Sequence, residues 1–332
     1  MAKVKRAIIC GNWASFFFNF QTLTSLSPRR GVKGVGVVSK VNIWSPPHTF
    51  FLATQLVESF NELGIKAKII DKEVVRASRS DLEIILAPAF FAFPITKAPR
   101  IVFQLEQTTS DRWFTSEYVR YMNNSLAVFE YSQFNVERLI NYGVDSQKIY
   151  YVPLGGSTKV FSQSLKSRTN SMPRDKKIIA YGWFTGSPQR EKFVRYAAAQ
   201  MPSMIVHTEL FGEEMAKELE SSDVVVHINY YSPAILATPR LWESLSRGCQ
   251  VVSEKAMNWK EDPYLLQLVQ FVEEGEFDLI RDQANELTQV GAGDKERLTT
   301  IEASEFRFKS ALASGLFGAG VIDDASRWNV RQ

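Results

Sequence analysis

Cysteine is nearly absent from this sequence of 332 residues. Its 2 cysteines, Cys10 and Cys249, lie far apart in the chain, so their spacing supports neither a disulfide framework nor a cysteine-based metal site. This scarcity predicts a protein of a reducing compartment, and we expect it in the cytoplasm.

Long hydrophobic runs are also missing. The longest, residues 84–95, has about a dozen residues and two prolines, against the roughly 20 residues that a membrane-spanning helix needs. This run predicts a buried strand and turn. Residues 1–13 begin basic and become apolar, but the apolar part is short and has no small-residue cleavage site, so we expect no signal peptide.

A strong net charge is missing as well. The formal net charge is +3, while hydrophobic residues make up 45% and charged residues 23% of the chain. This is the composition of an ordinary globular protein, and it lacks the basic stripe or clustered runs of a dedicated nucleic-acid binder. At this length we expect two domains rather than a single core.

What the sequence does have is a regular alternation of apolar strands and amphipathic helices. In the first half it predicts strands at residues 40–45, 66–71, 81–90, 100–107, 125–132 and 148–156, and helices at 45–64 and 135–143. In the second half it predicts strands at 177–184, 204–210, 223–231 and 250–254, each followed or preceded by a helix. Strands separated by helices run parallel and are joined by crossovers, so the fold class is α/β with two parallel sheets.

A segment rich in Ser, Lys and Arg separates the two halves. Residues 157–176 lack hydrophobic periodicity, as an interdomain linker or a mobile surface loop does. We therefore divide the chain into a first domain at 1–156, a second domain at 177–305 and a C-terminal segment at 306–332.

Ligands of parallel sheets bind beyond the carboxyl ends of the strands, where loops meet helix N-termini. One such loop is 184–192, in which Ser187 can cap a helix and Arg190 and Lys192 fall in its first turn. Cations oppose the helix dipole at this end, and a bound anion would reverse that balance. The alternative interpretation is a solvated basic face.

A second place of this kind is the helix that follows the aromatic loop 228–237, which contains Tyr231. Thr238 is predicted to cap this helix, and Arg240 and Glu243 lie on one side of its first turns. Arginine can bind phosphate oxygens in a fork, and an ionised glutamate can accept hydrogen bonds from two neighbouring hydroxyls. These loops could therefore hold a nucleoside diphosphate. The alternative is an exposed ion pair worth about 0.3–0.5 kcal/mol.

The order and spacing of motifs between residues 40 and 275 resemble those of GT-B glycosyltransferases. Residues 227–254, HINYYSPAILATPRLWESLSRGCQVVSE, resemble the donor-site segment of a bacterial group that reads N-I-H-Y-Y, P-R-x-x-E-x-L and V-V-S-E. Residues 128–156 resemble the stretch before the interdomain linker, and VFQLEQ at 102–107 resembles the strand that ends at the cleft floor. The resemblance implies two facing Rossmann-like domains, with the acceptor in the first and the nucleotide sugar in the second. It also implies that the C-terminal segment crosses back to the first domain.

The resemblance implies roles for individual residues. Glu243 matches the second acid of the family's E-x7-E pattern, which binds the donor ribose, whereas Ile235 stands where the first, sugar-contacting acid is expected. Arg190 and Lys192 match the basic helix start at the pyrophosphate, and Arg240 matches the Arg of P-R-x-x-E. No Asp-x-Asp clamp is expected, so the resemblance implies no metal and no cofactor besides the nucleotide-sugar co-substrate. The predicted donor-binding residues are Ser187, Arg190, Lys192, Tyr231, Arg240 and Glu243.

Two residues of the first domain compete for the catalytic role. Glu106, at the carboxyl end of the strand 100–107, could deprotonate an acceptor hydroxyl or steady a developing positive charge on the sugar. His48, in a strand-to-helix loop, is the competitor, although a lone loop histidine is more often a packing or capping residue. His207 and His227 lie within strand patterns and are predicted to be structural.

The sequence therefore predicts a cytoplasmic, metal-independent glycosyltransferase that moves a sugar from a nucleotide-sugar donor to a hydroxyl-bearing glycan, lipid or protein. Two alternatives stay open. A phage-type DNA-modifying glucosyltransferase shares the fold but needs a basic face, for which the only hint is Arg29, Arg30, Lys33 and Lys40. The other is a non-catalytic nucleotide-sugar- or partner-binding module, which the departure at Ile235 suggests.

Overall fold

The computed structural model of the chain describes residues 38–70, 80–94, 97–110, 112–169, 176–289 and 293–323. The described residues form a six-stranded sheet in the first half of the chain and a five-stranded sheet in the second half. Every described strand pairing is parallel, and helices connect the strands. The predicted α/β class with two parallel sheets is confirmed.

The first sheet consists of β1 (Lys40–Trp44), β2 (Lys66–Ile70), β3 (Leu82–Leu86), β4 (Arg100–Gln104), β5 (Ala127–Glu130) and β6 (Ile149–Tyr151), in the order β2-β1-β3-β4-β5-β6. Its helices are α1 (Phe50–Glu62), α2 (Ser116–Asn123) and α3 (Gln133–Asn141), with 3-10 turns at Pro47–Thr49, Pro88–Phe91 and Ser146–Lys148. α1 forms where the sequence predicts a helix, because Leu52, Leu56 and Phe60 recur on one face and are buried. α2 was not predicted.

The second sheet consists of β7 (Ile178–Tyr181), β8 (Ile205–His207), β9 (Val224–His227), β10 (Gln250–Glu254) and β11 (Val269–Val272), in the order β11-β10-β9-β7-β8. The helices of this half are α4 (Thr158–Thr169), α5 (Pro188–Gln200), α6 (Gly212–Glu220), α7 (Thr238–Ser246), α8 (Leu265–Leu268), α9 (Phe277–Gln289) and α10 (Asp294–Gly318). The four strands predicted here are all present, and β11 extends the sheet beyond them.

The segment predicted as an interdomain linker or a mobile loop contains a helix, so the loop interpretation is wrong for Thr158–Thr169. α4 lies within residues 157–176 because Phe161 and Leu165, four residues apart, pack against the core from an otherwise polar stretch. Near its end, Arg168 donates hydrogen bonds to backbone carbonyl oxygens where α6 and α7 end. Most of the described part of this segment is therefore docked on the second half of the molecule.

The last described helix, α10, joins the two halves. It packs beside α4 and α8, and Lys309 near its C-terminal end forms an ion pair with Glu62 of α1. The glycine pair after β6 permits this crossing, since a Cβ on Gly155 would lie 2.3 Å from the carbonyl oxygen of Ser304 on α10.

The carboxyl ends of the two sheets face each other across a cleft. The ring of His48, after β1, lies 6.4 Å from that of Phe211, after β8. Elsewhere in the cleft, Trp113 Nε1 donates a hydrogen bond of 2.9 Å to the hydroxyl of Tyr231. The loops at the strand ends of both halves therefore line one shared space, where ligands of parallel sheets bind.

Candidate functional site

Two arginines converge at the carboxyl end of β7. Arg190 comes from the first turn of α5 and Arg240 from the first turn of α7. Gly182 lies between them at φ +136°, and a Cβ there would be 2.3 Å from one guanidinium nitrogen of Arg240 and 3.0 Å from one of Arg190. The absence of a side chain at Gly182 is therefore what lets both guanidinium groups reach this point.

The described residues offer these arginines carbonyl oxygens but no carboxylate at ion-pair distance. Arg190 donates to the carbonyl oxygens of Ile228 at 2.9 Å and Trp183 at 2.6 Å, and Arg240 donates to that of Tyr181 at 3.4 Å. Burial, and then the charge of Arg240, lower the pKa of Arg190 to about 9, so it stays protonated at neutral pH. Two like charges in a poorly solvated place favour a bound anion.

Ser187 caps α5 as predicted. Its hydroxyl oxygen accepts a hydrogen bond of 3.4 Å from Arg190 N and its hydroxyl donates to the carbonyl oxygen of Tyr230 at 2.7 Å. The residue is 1% exposed, so it orients the helix start that carries Arg190. Lys192 is exposed two residues beyond Arg190, roughly 200° further around a helix of 3.6 residues per turn. The structure therefore does not bring Lys192 to the arginine pair.

Glu243 lies on α7, three residues after Arg240, and is half-buried. In the described part of the chain its carboxylate has neither an ion pair nor a hydrogen bond, so the alternative of an Arg240–Glu243 ion pair is not formed. Burial raises the pKa of Glu243 to about 7, and the charges of Arg247 and Arg240 oppose that rise. A carboxylate in this state is available to accept hydrogen bonds from a ligand.

The start of α7 differs from the prediction. Its N-cap residue is Ala237, and the Thr238 hydroxyl donates to the carbonyl oxygen of Leu236 at 3.3 Å instead of capping the helix. The preceding loop contacts the first half of the molecule, because Ile235 N donates a hydrogen bond of 2.9 Å to Gln107 Oε1. Ile235 is fully buried, so the residue at the departing position of the motif contributes its backbone rather than its side chain to the cleft.

His227 ends β9 next to the arginine pair. Its Nδ1 lies 3.2 Å from Ser253 Oγ, and its buried Nε2 has no hydrogen-bond partner among the described residues. Burial, and then the charges of Arg190 and Arg240, lower the pKa of His227 well below its usual range, so the ring is neutral. His207, at the end of β8, instead bonds Glu218 Oε1 at 2.7 Å.

His48 lies across the cleft from the arginines. Its ring is 6.0 Å from that of Phe90 and 6.4 Å from that of Phe211. Burial and then the charge of Arg240 lower the pKa of His48 to about 4. Both causes act in the same direction and keep the ring of His48 neutral at pH 7.

Glu106 follows β4, two strands away from β1, which puts it roughly 10 Å from the end of the strand that precedes His48. It is half-buried, and burial raises the pKa of Glu106 to about 7, with Arg112 opposing that rise. No described residue donates a hydrogen bond to its carboxylate. Glu106 and His48 therefore occupy separate points of the cleft, and the charge of Arg240 influences the pKa of His48.

Several residues of the cleft gave no sequence signal that we could interpret. Gly182 could have been found, because it lies near the carboxyl end of the strand predicted at 177–184, where phosphate-contacting glycines occur. Gln107 and Trp113 could not, since their partners Ile235 and Tyr231 are more than a hundred positions away in the chain.

The described residues contain no group of three or more His, Cys, Asp or Glu side chains that could hold a metal ion. None of the described helices is long and apolar enough to cross a membrane. Of the basic residues that hint at DNA, Arg29, Arg30 and Lys33 lie outside the described residues, and Lys40 is exposed at the start of β1.

Comparison with known proteins gives a likeness of fold. No family model matches the chain, and no curated protein sequence matches it. The structure resembles sucrose-phosphate synthase of Thermosynechococcus elongatus with a TM-score of 0.51 at 12% identity, over 85% of this chain and 100% of that one.

Two other solved structures are similar at lower scores. HepE of Anabaena, in complex with UDP and glucose, gives 0.46 at 14% identity, over 82% of this chain and 95% of that chain. A glycosyltransferase of Rickettsia africae gives 0.46 at 12% identity, over 89% of this chain and 100% of that chain. Together with its two facing parallel sheets, the likeness to the synthase shows that this chain has the GT-B fold that its sequence predicted.

Proposed function

We propose that this protein is a glycosyltransferase that takes a sugar from a nucleotide-sugar donor and transfers it to a hydroxyl-bearing acceptor in the cleft. The observation that carries the proposal is the arginine pair, Arg190 and Arg240, which converges on Gly182 with no described carboxylate at ion-pair distance. A diphosphate supplies the missing negative charge, and arginine binds phosphate oxygens through several parallel hydrogen bonds.

The remaining donor contacts follow from the geometry around the pair. Glu243, one helical turn beyond Arg240, has a free carboxylate that can accept hydrogen bonds from ribose hydroxyls. When the bond between the sugar and the diphosphate breaks, negative charge grows on the leaving diphosphate. The two guanidinium groups are already in place to stabilise that charge, which is the form of electrostatic catalysis that requires no rearrangement.

The acceptor side belongs to the first half of the molecule. Glu106, with its pKa raised to about 7, can take a proton from an acceptor hydroxyl as that oxygen bonds to the anomeric carbon. His48 is the alternative base, because it is neutral at pH 7 and lies opposite the arginine pair. Metal independence remains part of the proposal, with the arginines meeting the diphosphate charge.

A thermal-shift screen over UDP-, GDP-, ADP- and dTDP-sugars tests the donor site. A donor present at 100 times its dissociation constant should stabilise the protein by about 2.7 kcal/mol. Arg190→Ala and Arg240→Ala should weaken the binding of the nucleoside diphosphate far more than that of the bare nucleoside, since only the diphosphate carries negative charge.

Arg195→Ala is the matched control, because Arg195 is exposed on the same helix α5. It should bind the donor like the parent protein. Equal losses for diphosphate and nucleoside in the two site variants would remove the arginines from the pyrophosphate. A screen with no stabilising nucleotide would contradict the proposed function itself.

A further inference from the structure

A polar network beneath the cleft floor holds the short loop that carries Glu106. Gln104, the last residue of β4, forms hydrogen bonds with both the amide nitrogen and the carbonyl oxygen of Glu106. Its Oε1 accepts a hydrogen bond of 2.5 Å from Glu106 N, and its Nε2 donates one of 2.8 Å to the Glu106 carbonyl oxygen. Tyr118 also donates to Gln104 Oε1, at 3.3 Å. Asn135 Nδ2 donates to the same carbonyl oxygen at 3.5 Å, so two side-chain amides hold the backbone of Glu106.

The network ends at a second, fully buried carboxylate that the proposed mechanism does not use. Glu130, at the end of β5, is paired in register with Gln104 and is 0% exposed. Its Oε2 accepts from Gln104 Nε2 at 2.9 Å, while its Oε1 accepts from Ser132 N at 2.9 Å and from Asn135 Nδ2 at 3.0 Å. Burial raises the pKa of Glu130, and these donated hydrogen bonds oppose the rise. Because all three described partners donate, the geometry is that of the ionised carboxylate.

All of the described neighbours that bond to Glu130 are donors, and this fixes the direction of the hydrogen bonds that follow. Gln104 must turn its NH2 group to Glu130, which leaves its oxygen for Glu106 N. Asn135 likewise turns its NH2 group to Glu130, and its oxygen accepts from Thr108 at 2.6 Å from Oγ1 and 3.4 Å from N. One carboxylate thus orients two side-chain amides, and the amides orient both ends of the loop.

We propose that Glu130 is a positioning residue, which acts through Gln104 and Asn135 to hold Glu106 in the cleft. The proposal rests on the role proposed for Glu106 and adds a second carboxylate to it. Glu130 itself is buried beneath the loop and touches no ligand. Position 130 requires a side chain of a particular chemistry rather than of a particular size, because the group there must only accept hydrogen bonds.

Glu130→Gln tests this requirement without changing the volume of the side chain. The new NH2 group must face either the NH2 of Gln104 or the donors Ser132 N and Asn135 Nδ2. If the amide of Gln104 rotates to relieve that conflict, its NH2 group faces Glu106 N. If the amide of Asn135 rotates, its NH2 group faces Thr108. The loop loses a hydrogen bond in either case. We expect faster hydrogen exchange at the backbone amides of residues 105–108. We also expect turnover to fall about 10–100-fold with unchanged donor affinity, because Glu106 is displaced while the arginines are not.

Glu83→Gln is the matched control, since Glu83 is also a buried carboxylate of the same sheet and accepts from Asn42, Trp44 and Ser80. It should lower stability without affecting the loop.

Turnover is measured as release of nucleoside diphosphate from the donor selected in the thermal-shift screen. Exchange and turnover in Glu130→Gln that match those of the parent overturn the proposal, as does the same acceleration of exchange at residues 105–108 in Glu83→Gln. Should Glu130→Gln not fold, Thr108→Val removes the hydroxyl bond to Asn135 and must by itself accelerate exchange at the loop. Hydrogen exchange is measured without a nucleotide sugar. A thermal-shift screen that finds no nucleotide-sugar donor would therefore contradict only the proposed function, and the exchange result would still test the positioning role of Glu130.

Discussion

At the scale of single residues, Glu243 combines a destabilising burial with a proposed binding role. Its pKa rises from the ordinary 4.5 to about 7 on folding, so the folded state binds its proton more tightly than the unfolded state. The stability that this proton contributes is present below pH 4.5 and lost as the pH rises through 7, where the buried carboxylate ionises.

Glu243→Gln should therefore stabilise the protein at pH 8 relative to the parent, and do so much less at pH 5. About 1 kcal/mol corresponds to a shift of roughly 2–4 °C in the melting temperature of a domain of 150–250 residues. The same variant should weaken donor binding by about 1–3 kcal/mol, because the amide keeps only one acceptor oxygen and turns an NH2 group toward the second ribose hydroxyl. Melting curves at both pH values and donor titration check the two effects, and a variant that binds donor like the parent would remove Glu243 from the ribose.

The catalytic base is also a question of single residues. If Glu106 removes the acceptor proton, Glu106→Gln should lower kcat about 10²–10⁴-fold with little change in donor affinity, since its contribution arises in the transition state. Measuring kcat, donor affinity and melting temperature on Glu106→Gln and His48→Ala in parallel decides between them. A collapse of turnover confined to His48→Ala would transfer the role to His48.

At the scale of elements, the site depends on how closely the first turns of α5 and α7 approach the end of β7. Gly182 sets this approach, because a Cβ there would lie 2.3 Å from a guanidinium nitrogen of Arg240. Gly182→Ala should therefore displace Arg240 and weaken nucleoside diphosphate at least about 10-fold, a loss of roughly 1.4 kcal/mol.

Gly186→Ala separates this effect from backbone strain. Gly186 lies in the same loop at φ +78°, and a Cβ there would meet only the hydroxyl of Tyr230, at 3.4 Å. An alanine in the left-handed region costs about 1–2 kcal/mol, so both variants should lose stability. Calorimetric titration with UDP, or with the nucleoside diphosphate that the screen selects, should show the binding loss in Gly182→Ala alone. Equal binding losses in both would attribute the effect to loop strain.

The helix α4 shows why local composition misleads at this scale. Its segment is rich in Ser, Lys and Arg, which is typical of a linker, and only Phe161 and Leu165 mark an apolar face. A segment with so narrow an apolar face forms a helix because the surrounding helices pack against it. In the sequence Arg168 looks like an ordinary charged residue of a linker. In the structure it donates hydrogen bonds to carbonyl groups at the ends of α6 and α7.

At the scale of the whole molecule, both sheets direct their carboxyl ends into one cleft and exchange hydrogen bonds there. Glu261, from the second half, accepts from Ser132 Oγ at 2.8 Å and from Gln133 N at the start of α3. Arg307 of α10 bonds Asp262 and the carbonyl oxygen of Leu154. Contacts outside the arginine site therefore join the donor and acceptor sides of the proposed reaction.

The sequence by itself determined the architecture of this protein. Strand and helix periods are local properties of the chain, so they predicted the α/β class, the parallel sheets, and helix starts such as that of α5 at Ser187. The resemblance of motifs along the chain also predicted the GT-B fold.

Only the tertiary structure decided which residues meet. Lys192 and Arg190 are two positions apart, yet the helical period puts them on different sides of α5. Glu130 and Gln107 carry no local signal, because their roles come from Gln104 and Ile235, which folding brings beside them. Likewise, the sequence does not tell whether Arg240 and Glu243 form an exposed ion pair or stay apart. The difference lies in burial and in the distance between side chains, and both are set by packing across elements that are remote in the chain.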